Sequence, residues 1–286
     1  MDTGQALVAF AAYLIKKGKS TNTIVAYRGD INQFIGFLTR AHHDLDVGSI
    51  LPQDIEEFKK DLLSHNYTSK SVSRKLNSIK NFFAYLKSEN IITVNSAIDI
   101  KQPKYESDLP KILKPLEYRS LRDACRNDIR ATSIVELMLQ AGLRIKEIEN
   151  LRVEDIRDNE IYIEAYESHA SRVVPLNNSA KTALKNYLDQ GRFDSKAKNV
   201  FITKTGRKLL ARNIRSLLNR YFAKAGIEGA KVNDLRNTFI VFQLKSGVPI
   251  DVVSQIVGHK RISTTEKYLE LIDSKEEGKG IKLKEL

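Results

Sequence analysis

Apolar residues recur at three- and four-residue steps through the first hundred positions. Ile24, Tyr27, Ile31, Phe34, Ile35 and Leu38 make one stripe, the pattern of a helix that lays one face on a core. Ser20 or Thr21 stands where it would cap that helix, because a short hydroxyl accepts from the open N–H groups of a first turn. Val72, Leu76, Ile79, Phe82, Phe83 and Leu86 make a second stripe, and Lys70, Arg74, Lys75, Lys80 and Lys87 occupy the other face of that helix. A weaker helix is expected over 52–64, and a fourth before Lys17.

The pattern breaks at 101–111, where Pro103 and Pro110 bracket polar residues. Proline disfavours helix at its own position and the one before it, so this segment reads as an extended linker. Past Pro115 the spacing is mixed. Helices are expected over 115–127, 130–142, 145–151, 178–190, 210–225, 233–246, 249–257 and 263–272. Residues 160–165 alternate apolar and polar like a half-buried strand, with 172–176 as the hairpin partner. Ser263-Thr264-Thr265-Glu266 has the form of a capping box, which sets the start of the last helix. The tail, 273–286, is charged and weakly helical. The fold class is mainly α with a small β-sheet: a helical domain over 1–100, the linker 101–111, and an α+β domain over 112–286.

Charge narrows the partners. Of 286 residues, 47 are Lys or Arg and 35 are Asp or Glu, a net charge of +12. Such a balance suits a polyanion, although a merely basic surface has the same composition. Cys125 is the one cysteine, which excludes an intramolecular disulfide, fits a cytosolic location and assigns the thiol to packing. No run approaches the roughly 18 apolar residues of a membrane span, and Met1-Asp2-Thr3-Gly4 lacks the form of a signal peptide. No His/Cys cluster has metal-ligand spacing, and no Gly-rich loop could cradle a nucleotide. No metal, nucleotide, cofactor or membrane partner is expected.

Three local patterns carry chemistry. Ala141-Gly142-Leu143-Arg144 leads into a helix. Asn233-Asp234-Leu235-Arg236 opens another. Val257-Gly258-His259 is followed nine residues later by Tyr268. A tyrosine hydroxyl can attack a phosphodiester and store its energy as a phosphotyrosine. The charge that spreads over the phosphate oxygens calls for fixed, bidentate cations, which arginine supplies. Taken singly, each residue has an ordinary reading: Arg144 begins a helix, Arg236 is a surface arginine, His259 follows a C-cap glycine, and Tyr268 is a core tyrosine with its hydroxyl out.

In order and spacing the three patterns resemble those of tyrosine site-specific recombinases, in particular the Xer branch, bacterial or archaeal. The match covers about 116–271; the helical half is similar only in layout. The resemblance implies a core-binding domain joined to a catalytic domain as a C-shaped clamp on double-stranded DNA. It implies cleavage and rejoining through a 3′-phosphotyrosine on Tyr268, with Arg144, Arg236, His259 and Asn233 at the phosphate and no metal or ATP. Two protomers would bind each site and four would assemble in synapsis. The tail would pack on a neighbouring protomer through Ile281, Leu283 and Leu286. Integration, excision and chromosome partition are roles it leaves open.

Two positions depart from the family pattern. Asn233 stands where the family has histidine; an amide can bond a phosphate oxygen but cannot shuttle a proton. Glu167 stands where the family's hairpin lysine acts as general acid, and 160–172 contains no lysine. His169 is a candidate substitute acid, since its reference pKa near 6.5 permits donation; Lys204 or Lys208 are the other candidates. Two alternatives therefore stand beside an active recombinase: a DNA-binding protein of the same fold with impaired catalysis, and a monomeric strand relaxer of the type IB topoisomerase kind.

Overall fold

Helix α1 (Thr3–Lys16) begins where Asp2 Oδ1 accepts from the Gly4 N–H at 2.8 Å. Ser20 Oγ does the same for α2 (Thr21–Ala41), accepting from Thr23 N–H at 3.2 Å, which decides between the two expected caps. At α3 (Pro52–Ser64) the roles reverse, and Asp54 accepts from the Leu51 N–H at 2.8 Å. Thr68 caps α4 (Ser69–Ser88). In this computed structural model the described residues are 1–41, 46–105 and 108–272, and the chain divides into two compact units, Met1–Ser107 and Asp108–Leu286.

The first unit buries both predicted stripes together. Phe10 of α1 meets Phe82 of α4 edge-on at 5.4 Å, and Phe34 packs on Phe58 at 5.2 Å. One face was misassigned by periodicity alone. Lys75, expected on the solvent side of α4, is 8% exposed. Its Nζ donates to Asp30 Oδ1 at 3.1 Å, and Arg74 and Ser78 donate to the same carboxylate. Asp30 sits in the apolar stripe of α2, and a buried carboxylate must be paired. That requirement draws Lys75 of α4 inward, while Arg74 reaches the same carboxylate from an exposed position.

The second unit is built around α6 (Ile129–Gln140), whose Ile134, Val135, Leu137, Met138 and Leu139 are all buried. Its polar Ser133, Glu136 and Gln140 are buried as well, so the helix is enclosed on nearly every side. Packed against it are α5 (Pro115–Cys125), α8 (Asn178–Asn186), α9 (Ala211–Lys224) and α10 (Val232–Lys245). Cys125 is buried, and burial raises its thiol pKa. Strands β1 (Glu160–Ile163) and β2 (Arg172–Pro175) pair antiparallel, with Ile161 opposite Val174 and Ile163 opposite Arg172. Both are shorter than expected. Beyond them Tyr166 and His169 exchange backbone hydrogen bonds around Glu167-Ser168, and Glu167 has φ +51°. Sheet and hairpin lie beside α7 (Ile145–Asn150) and α11 (Ile250–Val257).

The last predicted helix is different. Only α12 (Ser263–Glu266) is α-helical, followed by a 3-10 turn at Leu269–Leu271, and the capping box does not form. The turn has already started: Thr264 and Thr265 N–H groups donate to the Arg261 and Ile262 carbonyls. Ser263 therefore lies inside the turn rather than at its cap. The tail 273–286, with its expected contacts through Ile281, Leu283 and Leu286, lies outside the described residues. Among those described, no helix is long and apolar enough to cross a membrane, and no group of three or more His, Cys, Asp or Glu is placed to hold a metal.

Candidate active site

The C-terminus of α11 organises the site. The chain leaves this helix at Gly258, φ +65°, where a Cβ would come within 3.1 Å of the Arg172 side chain. A helix end presents carbonyls without helical partners and a partial negative charge. Here three consecutive carbonyls each accept from a different arginine: Ile256 from Arg172 Nε at 2.7 Å, Val257 from Arg236 Nη2 at 2.5 Å, and Gly258 from Arg144 Nη2 at 2.8 Å.

A second glycine fixes the other wall. Gly142 has φ +62°, and a Cβ there would fall 2.4 Å from the Phe239 ring, so any side chain is excluded. Its carbonyl accepts from Arg236 Nη1. Arg236 is 3% exposed, a buried residue and not a surface arginine. Burial, then the nearby charge of Arg144, lowers its pKa to about 9, still charged at neutral pH.

Glu147 binds two of the arginines. The helix α7 opens as α3 does, with the third-position carboxylate accepting from the capping N–H: Arg144 N–H to Glu147 Oε2, 2.8 Å. The same carboxylate accepts from Arg144 Nη1 at 2.8 Å, from Arg172 Nη1 and Nη2 at 2.7 and 2.8 Å, and from the Tyr166 hydroxyl at 3.3 Å. Burial raises the pKa of Glu147, but the hydrogen bonds and charge of Arg172, with those of Arg144, outweigh it and hold the group at about 2. Burial, then Glu147, pushes the Tyr166 phenol up to about 12. Three guanidinium charges against one carboxylate leave the site doubly positive.

His259 follows Gly258, and its Nδ1 lies 2.8 Å from Thr265 Oγ1. Burial, then Arg236, Arg144 and Arg172, lowers its pKa to about 4, so the ring is neutral near pH 7. It stacks on Tyr268, with ring centroids 6.2 Å apart. Tyr268 is 7% exposed, and its hydroxyl points inward rather than out, donating to Asn237 Oδ1 at 2.9 Å. Burial raises its pKa, opposed by Arg236 and Arg144. Asn233, at the exposed start of α10, donates to the same Asn237 oxygen at 3.0 Å.

The hairpin approaches from the side. His169 packs on Tyr166 with ring centroids 5.0 Å apart. Its Nδ1 is buried with no hydrogen-bond partner among the described residues. Burial, then Arg144, lowers its pKa, and Lys260 acts in the same direction. Lys208 Nζ donates to Asn150 Oδ1 at 2.7 Å and shares a cavity of about 270 Å³ with Glu147 and Tyr166. Lys204 is exposed.

The predicted residues Arg144, Arg236, His259, Asn233 and Tyr268 thus come together, with His169 at the margin. Sequence reasoning missed Arg172, Glu147, Asn237 and Thr265. Two signals were present. Arg172 has the strand parity of Val174 and Leu176, which places it on their inward face, and Glu147 stands at the third helical position after Arg144. Asn237 and Thr265 carry no local mark. A guanidinium has five N–H donors, and the contacts above use two on Arg144, two on Arg236 and three on Arg172. The remainder can take the oxygens of a phosphate beside a phenol.

The chain resembles known proteins along most of its length. The chain matches the phage integrase family over residues 111–275 and the phage integrase N-terminal SAM-like domain over 7–90. A tyrosine recombinase XerC of Roseiflexus castenholzii is 31% identical over 92% of this chain and 88% of its own length. A tyrosine recombinase of Pseudothermotoga lettingae is 30% identical over 92% and 93%. Among solved structures, XerA recombinase is 26% identical with a TM-score of 0.54, covering 96% of this chain and 95% of that one. A lambda integrase dimer on a COC′ core site shares the fold at 16% identity, with a TM-score of 0.78 over 99% and 100%. By the first of these matches, which spans more than half of its length, the chain belongs to the phage integrase family.

Proposed function

We propose that this protein is a site-specific tyrosine recombinase that cuts and rejoins double-stranded DNA through a 3′-phosphotyrosine. The observation that carries the reading is the set of three guanidinium groups on the end of α11, beside the His259 ring that stacks on Tyr268. In this reading Tyr268 is the nucleophile. Arg144, Arg172 and Arg236 turn their remaining N–H groups to the nonbridging oxygens of the scissile phosphate, and act most strongly as charge builds there. His259 is neutral and, with its proton on Nε2, can donate to a phosphate oxygen. Asn233 offers an amide contact. His169 is the hairpin's candidate for protonating the leaving 5′-oxygen. Neither metal nor ATP enters, because the phosphotyrosine conserves the bond energy.

The related recombinases act as dimers on a core site and as a tetramer on a Holliday junction in the lambda integrase structures. We extend that assembly to this chain: two protomers per site and four in synapsis, acting in the cytoplasm on chromosomal DNA. The 1–100 and 112–286 segments serve as core-binding and catalytic domains, with 101–111 between them.

The test is covalent capture. The protein is incubated with fragmented genomic DNA and denatured, and the DNA that stays attached is sequenced. A shared sequence with a 3′ end on Tyr268 is expected; recovery of no attached DNA refutes the reading. The second reading, a DNA-binding protein with impaired catalysis, is favoured by Glu167 in the hairpin, and the same result decides it.

A further inference from the structure

The Tyr268 hydroxyl is engaged in the protein alone. It donates to Asn237 Oδ1 at 2.9 Å, both groups being buried. Asn237 Nδ2 donates in turn to the Lys111 carbonyl at 3.0 Å, and Asn237 Oδ1 also accepts from Asn233. Lys111 begins a short strap along α10. Leu113 N–H donates to Thr238 Oγ1 at 2.8 Å, Lys111 Nζ reaches the Glu228 carbonyl at 2.9 Å, and Ile112 packs on the cluster of Phe239, Val257 and Tyr268. One side-chain amide therefore joins the phenol to the backbone where the second unit begins.

An amide oxygen accepts a hydrogen bond but does not take the proton. A phenol held by it is stabilised in its neutral form. Attack on phosphorus requires that same oxygen to give up its proton. The contact thus favours the ground state over the transition state, the reverse of a catalytic interaction. The charged and titratable groups around the hydroxyl are Arg236 from α10, Arg144 from the start of α7, and His259 from the turn after α11; the two arginines favour the phenolate, and Asn237 opposes them.

Resting on the reading of Tyr268 as nucleophile, we infer that Asn237 is a positioning residue that parks Tyr268 as a neutral phenol and ties its release to the strap at Lys111–Leu113. DNA binding frees the hydroxyl when the Asn237 amide lets go.

Two measurements on the full chain test this. The first uses protein with ¹³C at the tyrosine ζ carbons, in equal parts H₂O and D₂O. A slowly exchanging hydroxyl gives two ζ-carbon lines, and the Tyr268 signal is identified by its loss in Tyr268→Phe. Two lines are expected for Tyr268 in the wild type, merging into one in Asn237→Leu, which keeps the side-chain shape without the amide. The second is single-turnover cleavage of the DNA recovered by covalent capture. Asn237→Leu should form the adduct roughly five- to tenfold faster, the scale of one lost hydrogen bond, with the rising limb of its pH profile moved to lower pH. A single averaged line in the wild type overturns the inference even if the variant fails to fold. So does a folded Asn237→Leu that cleaves no faster than wild type. If the wild type forms no adduct at Tyr268, the functional reading fails instead, whatever the lines show.

Discussion

Glu147 presents both carboxylate oxygens to Arg172, accepting from Nη1 at 2.7 Å and from Nη2 at 2.8 Å. The pair is fork to fork and buried, and the same oxygens also hold Arg144. Removing the charge leaves two guanidinium groups packed together without a counter-ion. We expect Glu147→Gln to lose roughly 3 kcal/mol of stability, the scale for breaking a buried pair. Urea unfolding of the variant measures it, and an unchanged midpoint contradicts the structural role.

The same carboxylate sets an acid limit. Its folded pKa, about 2, lies below the ordinary glutamate value of 4.5. A depressed folded pKa contributes stability that is complete above the unfolded value and is lost as pH falls through the folded one. Glu147 should therefore cost the protein stability progressively between about pH 4.5 and 2. Subtracting the pH profile of Glu147→Gln from that of wild type isolates this slope; parallel profiles in that window contradict it.

Tyr268→Phe removes one oxygen from a side chain that otherwise stays packed against Val257 and Phe239. DNA binding in a mobility-shift assay should persist while the covalent complex disappears completely. A Phe variant that still traps DNA removes Tyr268 from the chemistry.

Arg236 joins two carbonyls, Gly142 and Val257, from opposite walls of the site. Lysine offers a point charge on a flexible stem and cannot reproduce that planar bridge. Cleavage by Arg236→Lys should fall on the order of a hundredfold or more. Near-normal cleavage would show that the guanidinium shape is irrelevant there.

The hairpin gives two separable expectations. Glu167 holds a left-handed φ of +51°, which costs a non-glycine residue roughly 1 kcal/mol. Glu167→Gly should therefore raise the melting temperature by a few degrees. Chemically, with Glu167 and no lysine between Glu160 and Arg172, the hairpin is expected to be a weak acid element. DNA with sulfur at the bridging 5′ position, whose leaving group needs little protonation, should cleave much faster than ordinary DNA. His169→Ala should slow only the ordinary substrate. Equal rates on both substrates would place the acid elsewhere.

Much of this molecule was legible in its sequence because local periodicity and global packing agree. The stripes of α2 and α4 fall where the three- and four-residue steps put them. The motif residues Arg144, Arg236, His259 and Tyr268 converge because each stands at a helix end or in a buried helix turn. What escaped was long-range. Lys75 turns inward only because Asp30, in a different helix, needs a cation. The box at Ser263 is overridden by a turn that starts at Arg261. Asn237 meets Tyr268 across 31 residues of chain, and no pattern in either segment announces it.

The end of α11 has one more implication. Arg144, Arg172 and Arg236 arrive from distant parts of the chain, yet each takes its bearing from one of three adjacent carbonyls. Their placement errors are therefore correlated. A backbone shift at Val257 or Gly258 displaces all three donors as a set and leaves their mutual spacing nearly intact. Drift in this one peptide segment would mis-aim the whole triad while every arginine remained present and paired. Sequence variation that silences such a protein need not touch an arginine at all.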